Sequence, residues 1–387
     1  MDLYEFFQSL DLKHIDLEYI KVFYDFMKST VMPWVSKLTG YDLVEISATC
    51  SCYTMTDYLL VHDDQREDRM VAFVYYLTDN DNWGINTGGS LDLFTKDERG
   101  LPSKVVRSIF PKNNQLVIFP VTSDSYHQVT EVLDKEASRM SINGWFHAKT
   151  APVFEIPQFE YPSNSLFGSN KIKPQHSDIL LESWIDENYI NNDDGTLDNI
   201  QKHIEENSEI SLTNFFKMEA LLEVMNCLNI IEDHKWSKPV PPNRGSYEVL
   251  ANDSLPFSLE RFLNLFCSEQ FFAYLKIISD LDLNSLKFEL QRWTPGSYSL
   301  LSDHNWENTQ ELDIIIYLIP EENEHNIFGG RIQYVNTDEE IQEALITIEP
   351  SQNTLNIVYR DSARFIKYYS KLSTCEKFYL LICSYSE

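Results

Sequence analysis

Three side chains in the first third of the chain are of the kinds that hold a metal ion: His62, Asp64 and His127. His62 and Asp64 are two apart, so on one extended strand they project from the same face. His127 follows far enough downstream for several intervening strands to bring the chain back to the same place. Two imidazoles and one carboxylate on one side of a cation, with the other positions open, form the ligand set of non-heme Fe(II) oxygenases. Neutral ring nitrogens and an ionised carboxylate would fill half of an octahedral shell and leave the rest for a co-substrate and dioxygen.

One hairpin beyond His127 stands Arg139, whose guanidinium grips a carboxylate in a two-pronged way that lysine does not match. Tyr76 offers a hydroxyl donor to the same carboxylate, and Ser141, sharing the face of Arg139, is a weaker third candidate. This arrangement suits 2-oxoglutarate: its keto-acid end chelates a metal while its distal carboxylate needs a buried cation. An unpaired buried arginine is costly, which favours a ligand there. Taken singly, each residue has a plainer reading. His-x-Asp is common in an acidic chain, His127 suits a hydrogen-bonded strand, Arg139 can pair with any acid and Tyr76 can be core. Gly88 and Gly89 read as a turn rather than a phosphate cradle, because no helix start follows them. Cys50, Cys52 and His147 are read as structural. The joint order and spacing within one β-unit carries the metal reading.

These side chains need strands to position them. From Val44 to about Ala148 the apolar period is two, through LVEISATCSCY, RMVAFVYYLT, NNQLVIFPV and SRMSINGWFHA. Short strands with no long amphipathic helix between them predict a closed or sandwiched antiparallel fold. Ahead of them, residues 1–40 are predicted helical and laid on a sheet. Asp16 is the expected cap, and Pro33 interrupts the pattern before Gly40. Residues 151–177, rich in Pro, Ser and Asn, read as a linker between a first domain over 1–150 and a second over 178–387. The second domain opens with helical segments ILLESWID, TLDNIQKHIEEN, SLTNFFKMEALLEVMNCLNII and SLERFLNLFCSEQFFAYLKIIS, with Ser211 as a cap.

Beyond Leu286 the strands return and answer the first set: SYSLLSDHNW to DYLLVHDDQ, ELDIIIYLI to MVAFVYYLT, FGGRIQYV to GGSLDLF, NTLNIVYRD to NQLVIFPV and EKFYLLICSY to SRMSINGWFH. Matched positions, Tyr76 with Tyr317, Gly88 with Gly329, Leu116 with Leu355 and Arg139 with Lys377, keep nearly one offset, so one β-unit is expected to be duplicated. In the second copy Ser302 stands for His62 and His304 for Asp64. FIKYYS, with Tyr368 or Tyr369, stands for the segment of His127. This copy is expected to hold no iron and to serve structure or partner binding.

Sixty acidic against 31 basic residues give the 387-residue chain a net charge of −29. Such a surface repels nucleic-acid phosphates and anionic membranes and favours basic partners. Six cysteines without regular spacing predict reduced thiols in a cytosolic or nuclear protein. Met1, Asp2 and Glu5 do not suit a targeting segment. No apolar run approaches the ~20 residues of a membrane span, so a soluble intracellular protein is expected.

HDD followed by RMVAFVYYLT, GGSLDLF, HQVTEVL and SRMSINGWFH resembles a known family, and so do SWIDENYI, HKWSKPVPPNRGSYE, RWTPGSYSLL and NTLNIVYRD. The family is that of the Fe(II)- and 2-oxoglutarate-dependent prolyl 3-hydroxylases acting on a small-subunit ribosomal protein, and the resemblance spans nearly the whole chain. It implies a mainly β protein with flanking α-helices, built as two tandem double-stranded β-helix (jelly-roll, cupin-like) domains, the first catalytic and the second metal-free. It places iron ligands at His62, Asp64 and His127 and 2-oxoglutarate contacts at Tyr76 and Arg139. It further implies L-ascorbate as a helper, dioxygen as co-substrate, a basic decoding-centre protein hydroxylated at proline ring carbon 3 with an effect on translation, and residence in nucleus and cytoplasm. Family members carry a segment ahead of the point matching MDLYEFFQSLDL, so the catalytic domain is expected to be short at its N-terminus. Two other classes stay open: an oxygen-responsive regulatory protein binding partners through its second domain, and a metal-binding β-barrel isomerase or carbohydrate enzyme, which would not need Arg139.

Overall fold

Alternation with a period of two gives each strand two unlike faces, and here each face meets different surroundings. The computed structural model describes residues 2–387 except 67, 79–82, 151–152, 156, 193–194, 252–253, 302–309, 321–326 and 337–343. The chain forms two units, one of residues 3–159 with 241–243 and one of residues 160–240 with 244–387. Residues 160–177, expected as linker, thus belong to the second unit; Ile172 bridges Leu286 there, and the Leu166 amide donates to Glu289. No helix among the described residues is long and apolar enough to cross a membrane.

The first unit contains β1 (Tyr4–Glu5), β2 (Phe7–Gln8), α1 (Glu18–Phe26), α2 (Met32–Thr39), β3 (Leu43–Tyr53), β4 (Tyr58–His62) and β5 (Arg69–Tyr76). β6 (Leu91–Lys96), β7 (Pro102–Ile109), β8 (Leu116–Pro120), β9 (His127–Val129) and β10 (Arg139–Ala148) follow. They make two five-stranded antiparallel sheets, ordered β2-β3-β10-β5-β8 and β1-β4-β9-β6-β7. This is a double-stranded β-helix. On β10, Ile142 and Phe146 face outward and pack with Ile46, Ala48, Val71 and Phe73 against Leu12, Met27, Met32 and Val35 of the helical layer. The alternate residues Arg139, Asn143 and Trp145 face the space between the sheets. A one-residue slip would exchange the two sets, so the apolar cover pins the register of the inner face.

The N-terminal segment departs from expectation in two ways. Residues 4–8 are strand, because β1 and β2 extend the edges of the two sheets. Leu17, not Asp16, occupies the cap of α1, and Asp16 pairs instead with Lys21. Pro33 interrupts the regular helix, as expected, without ending it. A wider π-type turn over Met27–Val31 precedes it, where the proline would otherwise clash with the carbonyl four residues back. Gly40, at φ 77°, closes α2 in the left-handed conformation.

The second unit opens with α3 (Thr196–Asn207), β11 (Glu209–Thr213), α4 (Met218–Ile230), β12 (Trp236–Ser237), β13 (Gly245–Ser246), β14 (Glu248–Leu250), α5 (Phe257–Cys267) and α6 (Glu269–Ser279). Ser211 therefore lies in a strand rather than capping a helix, and Leu181–Ser183 makes only a single tight turn. Then come β15 (Ser285–Trp293), β16 (Tyr298–Ser299), β17 (Glu311–Leu318), β18 (Ile332–Val335), β19 (Ala344–Ile348), β20 (Thr354–Arg360), β21 (Ala363–Ile366) and β22 (Phe378–Ser386). Within its two sheets run the orders β20-β17-β22-β15 and β13-β16-β21-β18-β19. These repeat β8-β5-β10-β3 and β1-β4-β9-β6-β7 strand for strand, so the duplication read from sequence is a duplication of fold.

Register corrects two of the matched positions. Tyr53 lies opposite Arg139 as Trp293 lies opposite Phe378, so Phe378, not Lys377, answers Arg139. Leu93 lies opposite His127 as Tyr334 lies opposite Arg364, so the place of His127 is taken by Arg364 rather than Tyr368 or Tyr369. Ser302 and His304 fall outside the described residues. Arg364 is buried against Asp313, which also accepts from Arg360, Tyr334 and Ser384; Arg360 in turn pairs with Glu311. Burial opposes ionisation of Asp313, but Arg360 and Arg364 outweigh it and hold its pKa down. A closed ion cluster thus fills the second unit where the first unit collects its candidate metal ligands.

Removing Asp313 would leave two guanidinium groups without their shared carboxylate. Asp313→Ala is expected to lower the stability of the full chain by about 3–5 kcal/mol in denaturant unfolding. A loss below about 1 kcal/mol, the range of exposed pairs, would show that the cluster contributes nothing of the kind.

Candidate metal centre and co-substrate cavity

β4 and β9 are antiparallel neighbours, and a register irregularity between Leu59 and His62 brings His62 directly opposite His127. Their ring centroids lie 4.1 Å apart. Asp64 arrives by a different route from the one its spacing suggested. The strand ends at His62, and Asp64 sits beyond it at φ 63°, a left-handed conformation in which a non-glycine residue is strained. That turn, not strand alternation, sends its carboxylate between the histidines. Oδ1 is 3.4 Å from His62 Nε2 and Oδ2 is 3.4 Å from His127 Nε2.

Each histidine is already oriented. His62 Nδ1 lies 2.8 Å from the Leu60 carbonyl and His127 Nδ1 lies 2.9 Å from that of Ser125. A carbonyl can only accept, so Nδ1 carries the proton and Nε2 presents a lone pair to the centre. One ligand atom from each of His62, Asp64 and His127 falls within a span of 4.8 Å, with the side chains largely buried. This is the donor set and the support that an Fe(II) ion requires, and the residues fit that ion.

The centre opens into a cavity of about 460 Å³ that reaches Arg139 and is walled by Tyr53, Val74, Leu91 and Phe119. Arg139 is 1% exposed. Its Nε donates to the Gly89 carbonyl at 2.9 Å, Nη1 to Ser141 Oγ at 3.3 Å and Nη2 to Tyr76 Oη at 3.4 Å. The rings of Tyr53 and Tyr76 flank the guanidinium, 4.8 and 5.1 Å from its carbon. Among the described residues no carboxylate pairs with it. Ser141 and Tyr76 stand opposite one another on β10 and β5, so the three candidates converge. The hairpin expected between His127 and Arg139 does not form. β9 and β10 belong to different sheets, and the chain crosses from one to the other between them.

The glycine pair is the expected turn and has a further task. Gly88 (φ 71°) approaches the Glu131 carbonyl so closely that a Cβ there would stand 1.9 Å from its oxygen, and Gly89 (φ 67°) turns its own carbonyl to Arg139. Residues not singled out from sequence also meet the site. Trp145 Nε1 donates to Asp64 Oδ2 at 3.0 Å, and Phe119 meets the His127 ring edge-on at 4.9 Å. The alternation of β10 from Arg139 would have found Trp145; no local pattern marks Phe119. His147, bonded to Ser47 and Asp68, is structural as expected.

The donor set, the buried guanidinium and the double-stranded β-helix define an Fe(II)- and 2-oxoglutarate-dependent oxygenase. A model described as the 2OG-Fe(II) oxygenase superfamily matches residues 48–147, which hold all five predicted site residues. One described as oxoglutarate and iron-dependent oxygenase degradation C-term matches residues 176–387. Prolyl 3-hydroxylase sudestada1 of Drosophila melanogaster is 36% identical over 420 residues, taking in 100% of this chain and 77% of that protein. Prolyl 3-hydroxylase OGFOD1 of Mus musculus is 32% identical over 442 residues, with 95% and 78% covered. Among solved structures, a prolyl hydroxylase from Trichoplax adhaerens in complex with a hypoxia inducible factor oxygen degradation domain peptide fragment aligns at 14% identity and a TM-score of 0.39. That alignment covers 49% of this chain and 88% of the other. The chain belongs to the family of Fe(II)- and 2-oxoglutarate-dependent prolyl hydroxylases.

Protons compete with a metal at this centre. Burial disfavours a charged His62, but the Asp64 carboxylate outweighs it and raises the imidazole above its ordinary value of 6.5. For Asp64, burial acts against ionisation, and the hydrogen bonds of His127 and His62 outweigh it, holding the carboxyl well below the usual range. Asp64 is therefore ionised throughout the neutral region, and a metal binding there competes with a proton on His62. Metal affinity rises with pH through and beyond the normal imidazole range, by up to about tenfold per unit for one proton displaced. Mn(II) titrations followed by electron paramagnetic resonance between about pH 6 and 8 are expected to show this slope; a flat profile would exclude His62 as a ligand.

Proposed function

We propose that the chain hydroxylates a prolyl residue at ring carbon 3 in a basic small-subunit ribosomal protein of the decoding centre, thereby affecting translation. In this reading His62, Asp64 and His127 hold Fe(II), and Arg139 with Tyr76 holds the distal carboxylate of 2-oxoglutarate. The observation that carries it is a buried guanidinium that pairs with no carboxylate among the described residues, in the same cavity as a His-Asp-His centre. The Drosophila and mouse relatives are both named prolyl 3-hydroxylases. The net charge of −29 supports a basic partner. Cysteines that are all free accord with a reducing compartment, nucleus and cytoplasm.

Bound together, Fe(II) and 2-oxoglutarate supply the oxidation by dioxygen, so no acid-base pair of the protein is needed. The protein contributes position and exclusion of water. Arg139, fixed through Nε to Gly89 and bonded through its Nη groups to Ser141 and Tyr76, has one N–H left on each Nη for the co-substrate. Burial raises the pKa of Tyr53 and of Tyr76, so the flanking phenols stay neutral and Tyr76 remains a donor. Phe119, Val74 and Leu91 supply apolar walls. Phe378 at the place of Arg139 and the ion cluster at Asp313 support a structural or partner-binding part for the second unit.

Purified chain with Fe(II) is expected to consume 2-oxoglutarate and add one oxygen atom to a proline-containing peptide of the ribosomal substrate, seen by mass spectrometry. Fragmentation and proton NMR place the hydroxyl at carbon 3. Turnover on a different proline peptide alone would sink the substrate assignment, and none at all with iron bound would favour a regulatory role. Arg139→Lys keeps the charge but loses the fork, and is expected to raise the KM for 2-oxoglutarate at least tenfold, roughly 1.4 kcal/mol, with metal affinity unchanged. An unaltered KM would remove Arg139 from the co-substrate site.

A further inference from the structure

Asp64 is the least supported of the candidate ligands by its own backbone. It lies outside the ladder, two residues beyond the end of β4 and in a left-handed conformation, so sheet hydrogen bonding does not fix the rotation of its carboxylate. A carboxylate free to rotate can bind a cation through one oxygen or through both. The second mode would take a coordination position that a co-substrate and dioxygen need.

The neighbouring groups limit that freedom. Trp145 Nε1 donates to Oδ2 at 3.0 Å, and an indole N–H is a donor only, so it can engage the carboxylate in one sense. The Trp145 ring is itself clamped: the Arg69 guanidinium carbon lies 3.4 Å from its centroid. Arg69 Nη1 also reaches the Asp64 carbonyl at 3.5 Å and lies 4.0 Å from Oδ1. Trp145 stands on β10 on the same face as Arg139, so the strand that carries the co-substrate anchor also carries the support of the carboxylate ligand. β10 pairs with β3 without irregularity from Arg139 to His147, which makes this a rigid mount.

We propose that Trp145, stacked on Arg69, is a positioning residue: its indole N–H holds one oxygen of Asp64 so that the other alone ligates the metal. This rests on the assignment of His62, Asp64 and His127 as the metal ligands. Arg69 acts twice, on the indole and on the Asp64 carbonyl, and its guanidinium also forms a long ion pair with Oδ1.

The test uses the full chain, Mn(II) affinity by paramagnetic resonance and the visible absorption of the Co(II) form. Trp145→Phe keeps a ring beneath Arg69 and deletes the donor. It is expected to weaken Mn(II) binding about 10- to 100-fold, the usual effect of removing such a support. It is also expected to shift the Co(II) bands as the carboxylate gains its second mode, with the unfolding midpoint close to wild type. Should Trp145→Phe fail to fold, replacement of Trp145 by its benzothienyl analogue, which preserves ring size and removes only the N–H, is expected to give the same two changes. Wild-type Mn(II) affinity together with an unshifted Co(II) spectrum in the folded variant would overturn the proposal. Failure of the wild-type chain to bind Mn(II) or Co(II) would instead overturn the underlying ligand assignment.

Discussion

A buried guanidinium with no carboxylate beside it among the described residues is the constraint on which the first unit depends. Arg139 reaches a carbonyl, a hydroxyl and a phenol, all neutral, so its charge is solvated but not balanced. Such a group costs several kcal/mol unless an anion completes it. The surroundings aim that charge: Gly89 takes Nε, Ser141 and Tyr76 accept from the two Nη groups, two tyrosines cover the faces, and the cavity runs from the guanidinium to the histidines. An anion with a second chelating end, long enough to join the two, satisfies the charge and the metal at once.

The two copies of the fold solve the same electrostatic problem in opposite ways. In the second unit Phe378 stands where Arg139 stands, and its ring lies over Gly330 as Arg139 lies over Gly89. The Tyr317 hydroxyl donates to the Gly330 carbonyl, taking up the acceptor that Arg139 uses in the first unit. The second unit does bury guanidinium groups, on Arg360 and Arg364, but it supplies Asp313 and Glu311 to neutralise them. One unit internalises its counter-ions and needs no ligand; the other leaves them out. At the place of His127 the second copy thus has a polar cluster instead, and the apolar layers that hold the sheets remain in both.

Much of this was legible in the sequence, because it follows from side-chain alternation and repeat. The period of two gave the strands, the matched segments gave the duplication, and His62, Asp64, His127 and Arg139 line one cavity, with Tyr76 bonded to Arg139 behind its wall. What stayed hidden depends on register and backbone turns. Asp64 reaches the centre through a left-handed turn that no alternation announces. Arg364 could not be matched to His127, because the loops before β21 differ in length and only cross-strand pairing with Tyr334 fixes the alignment. Ser211 misled for a local reason: a good cap residue can also serve a strand.

The most direct measurement is the number of metal ions bound by the full chain, obtained by anaerobic titration with Fe(II) and native mass spectrometry. One ion per chain is predicted, lost in His127→Ala while the fold persists. Two ions would contradict the closed ion cluster of the second unit, and one ion that survives in His127→Ala would contradict the placement of the centre.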